Sequence, residues 1–283
     1  MSNFSFNNRR FSFSKHTFEE ARIVICGIPL DLTASYRPGC RFAPSSIREA
    51  SWEFEDYEFR TGEDILTVAF YDAGDMEIKG RGGELLENIY SQIKTMVDKG
   101  KIPLALGGEH LITLPIVKAL LTRHEALNIV VFDAHLDLKD TYSGLRYSHA
   151  TVMKRVSELH NVHSIVHFGV RSATEEEKIL WENHGELFFH QGISGLDKNI
   201  PLYISIDMDS LDPSCAPGVG NPEPGGFMYR EIYTILQELR NFTLAGADIV
   251  EISPPYDPSG ITSITGARIA RDLLFLIHKT LTL

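Results

Sequence analysis

Short apolar runs rich in β-branched residues recur along the chain, separated by longer stretches with a helical period. Runs this brief and uniformly apolar predict strands buried on both faces. They fall at Arg22–Ile28, Leu66–Tyr71, Ile102–Leu106, Asn128–Phe132, Ser164–Gly169, Leu187–Phe189, Leu202–Ile206 and Leu244–Val250. The first helix is expected to start at the capping residues Ser45 and Ser46 and to run to about Tyr57. Others are expected over Glu84–Lys99, stopped by Gly100, from near Leu111, and near residues 148–159, 174–183, 228–240 and 263–280. Strands alternating with helices argue an α/β fold, a mostly parallel sheet covered on both faces. With no linker, repeat or low-complexity tract, one domain is expected over residues 1–283. Residues 1–20 form an N-terminal arm, and its Phe4, Phe6, Phe11 and Phe13 are expected to pack on that domain.

The formal net charge of −11 argues against nucleic acid as a partner and is compatible with a cationic substrate. Three cysteines without CxxC spacing argue against a disulfide framework or zinc ribbon. The start lacks the apolar core of a signal peptide, and no run approaches the ~20 apolar residues of a membrane span. A cytoplasmic protein with no membrane partner is the expectation.

The polar residues that follow the strands carry the chemistry. Asn128–Phe132 leads into Asp133, His135 and Asp137, spaced by two, and Leu202–Ile206 leads into Asp207 and Asp209. His110 follows the third strand and Glu251 the last. Side chains two apart in an extended chain point the same way, and parallel sheets gather ligands beyond their carboxyl ends. Close carboxylates repel one another unless cations sit between them. Taken singly, a strand-end Asp is more often a turn former, and Glu251 could simply pair with Arg268 or Arg271. Together, the carboxylates and imidazoles suit two divalent ions with shared aspartates. Oxygen-rich ligation with some imidazole favours manganese, with magnesium, zinc, iron or cobalt as alternatives. Such a pair would make a shared water acidic enough to lose its proton near neutral pH. The Pro- and Gly-rich loop Asp212–Gly226 directly follows these ligands and is expected to rim the site.

Gly-Gly-Glu-His110, DAHLD, Ser148-His149, SIDMDSLDP and DIVEISPPYD resemble, in order, the motifs of the ureohydrolases: arginases, agmatinases and guanidinobutyrases. The resemblance runs from about Ile23 to the C-terminus. It implies a three-layer α/β/α fold with an eight-stranded parallel sheet, two manganese ions (Mn2+) per chain, and release of urea from a small cationic guanidino substrate. It further implies that His110 and Asp137 hold one ion and His135 and Asp209 the other, with Asp133 and Asp207 bridging. His149 falls on the family's catalytic histidine and Glu251 on its guanidinium-binding glutamate. A homo-oligomer, trimer or hexamer, is also implied. Ala150 departs from the Gly that many relatives carry after this histidine.

Arginases carry an Asn where Lys139 stands and a Ser-Gly-Asn run where Ser143-Gly144 is followed by Leu145. The surrounding DTYSG and VEISPPYD are more similar to agmatinases, so hydrolysis of agmatine to putrescine and urea is expected. Lys139 and Arg146, if they faced the pocket, would instead favour an acidic tail, as in a guanidinobutyrase. Arginase, formimidoylglutamase and a non-catalytic metal-binding member are further alternatives. A two-metal phosphoesterase would need basic residues beside the ligands, and these motifs have none. A zinc deacetylase would need one metal, fewer than this ligand set suits.

Overall fold

The computed structural model describes residues 10–185, 187–188 and 192–281. In chain order its strands begin with β1 (Ile23–Ile28), followed by a two-residue pair set apart, β2 (Tyr57–Glu58) and β3 (Glu63–Asp64). Then come β4 (Phe70–Asp75), β5 (Ile102–Gly107), β6 (Leu127–Phe132), β7 (Val162–Phe168), β8 (Leu202–Asp207) and β9 (Leu244–Val250). Seven of them form one sheet in the order β4-β1-β5-β9-β8-β6-β7, with every neighbouring pair parallel.

The central strands are apolar on both sides because both faces are covered. Val130 and Phe132 of β6 enter one core, while Ile129 and Val131 enter the other. Helices α1 (Ala43–Ser51), α6 (Tyr229–Glu238) and α7 (Ile261–Thr280) cover the first face through Ile47, Ile232, Leu236 and Leu273. Helices α2 (Gly83–Asp98), α3 (Thr113–Leu120) and α4 (Val152–Ser157) cover the second through Ile89, Ile93, Val117 and Met153. Helix α5 (Glu175–Asn183) places Leu180 and Trp181 against that second core. The result is the three-layer α/β/α arrangement, and among the described residues no helix is long and apolar enough to cross a membrane.

Eight strands were expected, and among the described residues the sheet has seven. In the run at Leu187–Phe189, Phe188 makes an isolated parallel bridge to Ile165 of β7. Phe189 lies outside the described residues. Boundaries also move, and helix α1 ends at Ser51 rather than near Tyr57, which lies in β2. Asp64 accepts the Leu66 N–H at 2.8 Å and opens a 3-10 turn, so Leu66 turns outward and β4 begins at Phe70. Helix α1 begins at Ala43, before the two serines, because Pro44 suits a first helical turn with its fixed φ and missing N–H. Of the arm, Phe11 is buried edge-on against Phe70, and Phe13 packs on the same core. Phe4 and Phe6 lie outside the described residues.

Candidate metal centre

Four neighbouring strands, β5, β9, β8 and β6, end in the singled-out residues: His110, Glu251, Asp207 with Asp209, and Asp133 to Asp137, respectively. Their adjacency follows from the sheet order, and it puts all of these groups above one edge. Gly108 helps close the space, since its carbonyl accepts the Glu251 N–H at 2.9 Å and its N–H donates to Ile28 at 3.0 Å. A Cβ at Gly108 would collide with the Leu30 backbone that lies over it.

The two aspartate motifs share one local geometry. Asp133 Oδ1 accepts the His135 N–H at 2.7 Å, and Asp207 Oδ1 accepts the Asp209 N–H at 2.8 Å. Each aspartate thus bends its own chain two residues on. Side chains two apart converge through these turns rather than through a continued strand. Asp137 (φ 51°) and Glu251 (φ 66°) sit in the left-handed region, two of the four non-glycine residues there among the described residues. Such conformations cost energy and persist where surrounding contacts impose them.

The side chains meet in two overlapping triads, His110–Asp133–Asp207 and Asp133–His135–Asp209, each with its ligand atoms within 4.8 Å of one another. His110 Nδ1 lies 3.2 Å from Asp133, 3.1 Å from Asp137 and 3.5 Å from Asp207. His135 Nδ1 lies 3.4 Å from Asp133 and 3.1 Å from Asp209. Asp137 therefore joins through His110 while standing outside both triads. Ala134 N–H donates to Asp209 at 3.1 Å and ties the two motifs together.

The donor set fits divalent cations. Asp133 Oδ2 is buried and makes no hydrogen bond; it faces His110 Nδ1 at 3.2 Å, a pair of donor atoms that suits a cation. Burial lowers the proton affinity of His135, but the Asp133 and Asp209 carboxylates outweigh it and push its pKa up to about 12. His110 is likewise raised well above its ordinary value, despite burial, by Asp133 and Asp137. Burial, then Asp209 and Asp133, raise Asp207. These directions express one fact: the cluster attracts positive charge strongly.

Sequence reasoning missed the support behind His110. Its Nε2 lies 3.0 Å from Ser205 Oγ, whose hydroxyl donates to Asp248 at 2.6 Å. Tyr203 (2.5 Å) and Thr113 (2.7 Å) also donate to Asp248, which is fully buried. With its proton committed to Asp248, Ser205 accepts from His110 Nε2–H, so Nδ1 is the nitrogen turned towards the aspartate cluster. The available signal was a polar Ser and a charged Asp inside runs otherwise fit for buried strands.

His149 lines a cleft of about 300 Å³ together with His135, Asp137, Tyr142, Asn221 and Glu223. Asn221, Pro222 and Glu223 come from the expected rim loop. Arg171, also missed, pins that loop by donating to the carbonyls of Asp209 (2.6 Å) and Glu223 (2.6 Å). Burial lowers the His149 pKa below its ordinary value. Glu251, 8 % exposed, accepts the His110 N–H at 2.7 Å, and burial pushes its pKa up to about 8. The alternative partners of Glu251 are taken, since Arg268 and Arg271 both pair with Glu58.

Of the two cations that follow the DAHLD motif, Lys139 lines the cleft, with its ammonium 3.1 Å from the buried Glu177. Arg146 is exposed, pairs with Glu158 at 3.1 Å and lines a different cleft with Lys118 and Arg155.

Comparison with known proteins shows relatives over nearly the whole chain. An agmatinase of Bacillus subtilis is 36 % identical over 281 residues, covering 95 % of this chain and 97 % of its own. A guanidinobutyrase of Pseudomonas aeruginosa is 34 % identical over 275 residues, covering 89 % and 85 %. The crystal structure of an agmatine ureohydrolase of Thermoplasma volcanium superposes with a TM-score of 0.84 at 33 % identity, covering 97 % and 96 %. The arginase family model matches residues 21–276, and the chain belongs to the arginase family.

Proposed function

We propose that this protein hydrolyses agmatine to putrescine and urea at a centre for two manganese ions. The observation that carries the reading is the common focus of the two Asp/His triads, with Glu251 beside them. In it, His110 and Asp137 would hold one ion and His135 and Asp209 the other, with Asp133 and Asp207 available to both. When bound, such ions acidify a water and supply a nucleophile at neutral pH. Glu251 receives the substrate's guanidinium, whose parallel N–H donors suit a carboxylate. An arriving cation also stabilises the ionised form of Glu251, which burial alone disfavours. His149, kept neutral at neutral pH by burial, takes up a proton and returns it to the leaving amine.

The tail of the substrate follows from the cations around the cleft. Lys139 is bound to Glu177, and Arg146 belongs to another cleft, so neither ammonium nor guanidinium is free for a substrate carboxylate. Glu223 on the cleft wall suits an ammonium tail. A 4-guanidinobutyrate hydrolase is the second reading, favoured by the position of Lys139 in that wall. The protein acts as a homo-oligomer in this proposal, trimer or hexamer, on the strength of the family resemblance.

The test is product release by the manganese-loaded protein from agmatine, arginine, 4-guanidinobutyrate and formimidoylglutamate. A clear preference in kcat/KM for agmatine is expected. Preference for an acidic-tailed compound overturns the substrate while leaving the hydrolase class intact.

A further inference from the structure

Thr33, on the loop after β1, lies 116 positions from His149 in the chain, yet it makes two contacts with that residue. Its Oγ1 accepts the His149 backbone N–H at 3.1 Å and lies 3.1 Å from the ring's Nδ1. The backbone bond meets a local need, because His149 opens a 3-10 turn whose first N–H groups have no partner within the turn. The loop is itself held from below. Glu109, 1 % exposed, accepts the N–H groups of Leu32 and Thr33 through Oε2, both at 2.8 Å. Across the ring, Tyr142 sits edge-on to His149 with centroids 5.4 Å apart.

We propose that Thr33 is the positioning residue for His149, holding its ring by Nδ1 and its backbone by the N–H so that Nε2 is the nitrogen left for proton transfer. Glu109 acts one step behind by fixing the loop. A hydroxyl suits the task because it both donates and accepts. It can accept Nδ1–H from the charged ring, or from the neutral ring whose Nε2 is bare. It can donate to Nδ1 when the proton sits on Nε2. The contact therefore survives each protonation state without moving an atom heavier than hydrogen. A carboxylate in the same place would favour the charged ring and raise its pKa.

This inference rests on the reading of His149 as the proton carrier, so its test needs one measurement that does not depend on turnover. In the manganese-loaded full chain, carbethoxylation of His149 by diethyl pyrocarbonate, followed on its peptide by mass across pH, reports the ring's own titration. The titratable groups around the ring are Asp137, His110, His135 and Asp133, with Lys139 and Glu223 in the same cleft, all untouched by the variants, so a change reports Thr33. Thr33→Val keeps the shape and removes the hydroxyl; Thr33→Ser keeps the hydroxyl. We expect Thr33→Val to displace the labelling profile and to lower kcat by about tenfold to a hundredfold, the size usual for loss of an orienting partner. KM and metal content should stay within about twofold of the parent, since the group acts on the proton step. Thr33→Ser should restore both readouts.

A labelling profile for Thr33→Val that superimposes on the parent overturns the proposal. So does equal impairment of the Val and Ser variants, which would assign the effect to loop packing. A displaced profile with kcat unchanged shows that Thr33 holds the ring but that His149 carries no proton in turnover. That result overturns the reading of His149 and with it the part of Thr33 in the reaction.

Discussion

The backbone N–H of His110 donates to Glu251 Oε1 at 2.7 Å, joining residues 141 positions apart in the chain. The bond fixes the carboxylate beside the aspartate cluster without giving it a cation. Glu251→Gln keeps an oxygen for that N–H and removes the negative charge. A hydrogen bond to a charged group is worth about 1.5–3 kcal/mol, so kcat/KM should fall by roughly tenfold to over a hundredfold. Metal content should remain near that of the parent. Steady-state kinetics and elemental analysis of the same preparation check both halves, and loss of metal would make the residue structural.

Close carboxylates make metal content and stability one question. Manganese loading should bring the chain close to two ions, and a chelator should lower the melting temperature reversibly, since ligands that bind the folded state stabilise it. One ion per chain would instead fit a deacetylase-like centre. Asp248→Asn should weaken manganese binding by about tenfold to a hundredfold although Asp248 touches no proposed ion, because it fixes the His110 tautomer through Ser205. Titration of the metal-free protein with manganese measures this, and an unchanged affinity would reduce the Tyr203–Ser205–Asp248 network to packing.

The pH dependence has a definite sign. Burial depresses the His149 pKa below its ordinary 6.5, so the neutral imidazole predominates at neutral pH. As pH falls through that depressed value the ring becomes charged and can no longer accept a proton. The rate should therefore be level around neutrality and fall on the acid side, at a pH below 6.5. A kcat–pH profile with metal content verified at each point is the measurement. An acid limb centred well above neutrality would contradict the assignment.

Away from the cleft, Arg48 holds Asp72 with two bonds of 2.7 and 2.9 Å, at side-chain exposures of 4 % and 0 %. Arg48→Ala leaves a buried carboxylate uncompensated, a change that typically costs about 3–5 kcal/mol. Urea denaturation should show that loss. The folded fraction should keep the parent's kcat, because Arg48 lies in the first helix, outside the cleft.

Much of the site was legible because its chemistry is tied to local features. Asp133, His135, Asp207 and Asp209 announce themselves by following apolar strands at a spacing of two. The last strand was likewise readable as far as Glu251. The supporting groups were not. Asp248 sits in a strand whose neighbours are apolar, and nothing local shows that three hydroxyls and, through one of them, His110 converge on it. Thr33 offers no signal at all, since its partner lies far along the chain.

By itself, the sequence determined the α/β class, the helices on both faces and the identity of the proposed ligands, because burial and hydrophobic periodicity act over a few residues at a time. It did not determine the sheet order that sets β5, β9, β8 and β6 side by side. Nor did it determine the direction of the long cationic side chains, which it left open to the pocket. Tertiary packing decided both: Glu177, buried and brought up by α5, draws Lys139 to itself, and Arg146 falls on the outer surface. Such contacts join residues distant in the chain, and only folding in three dimensions brings them within reach.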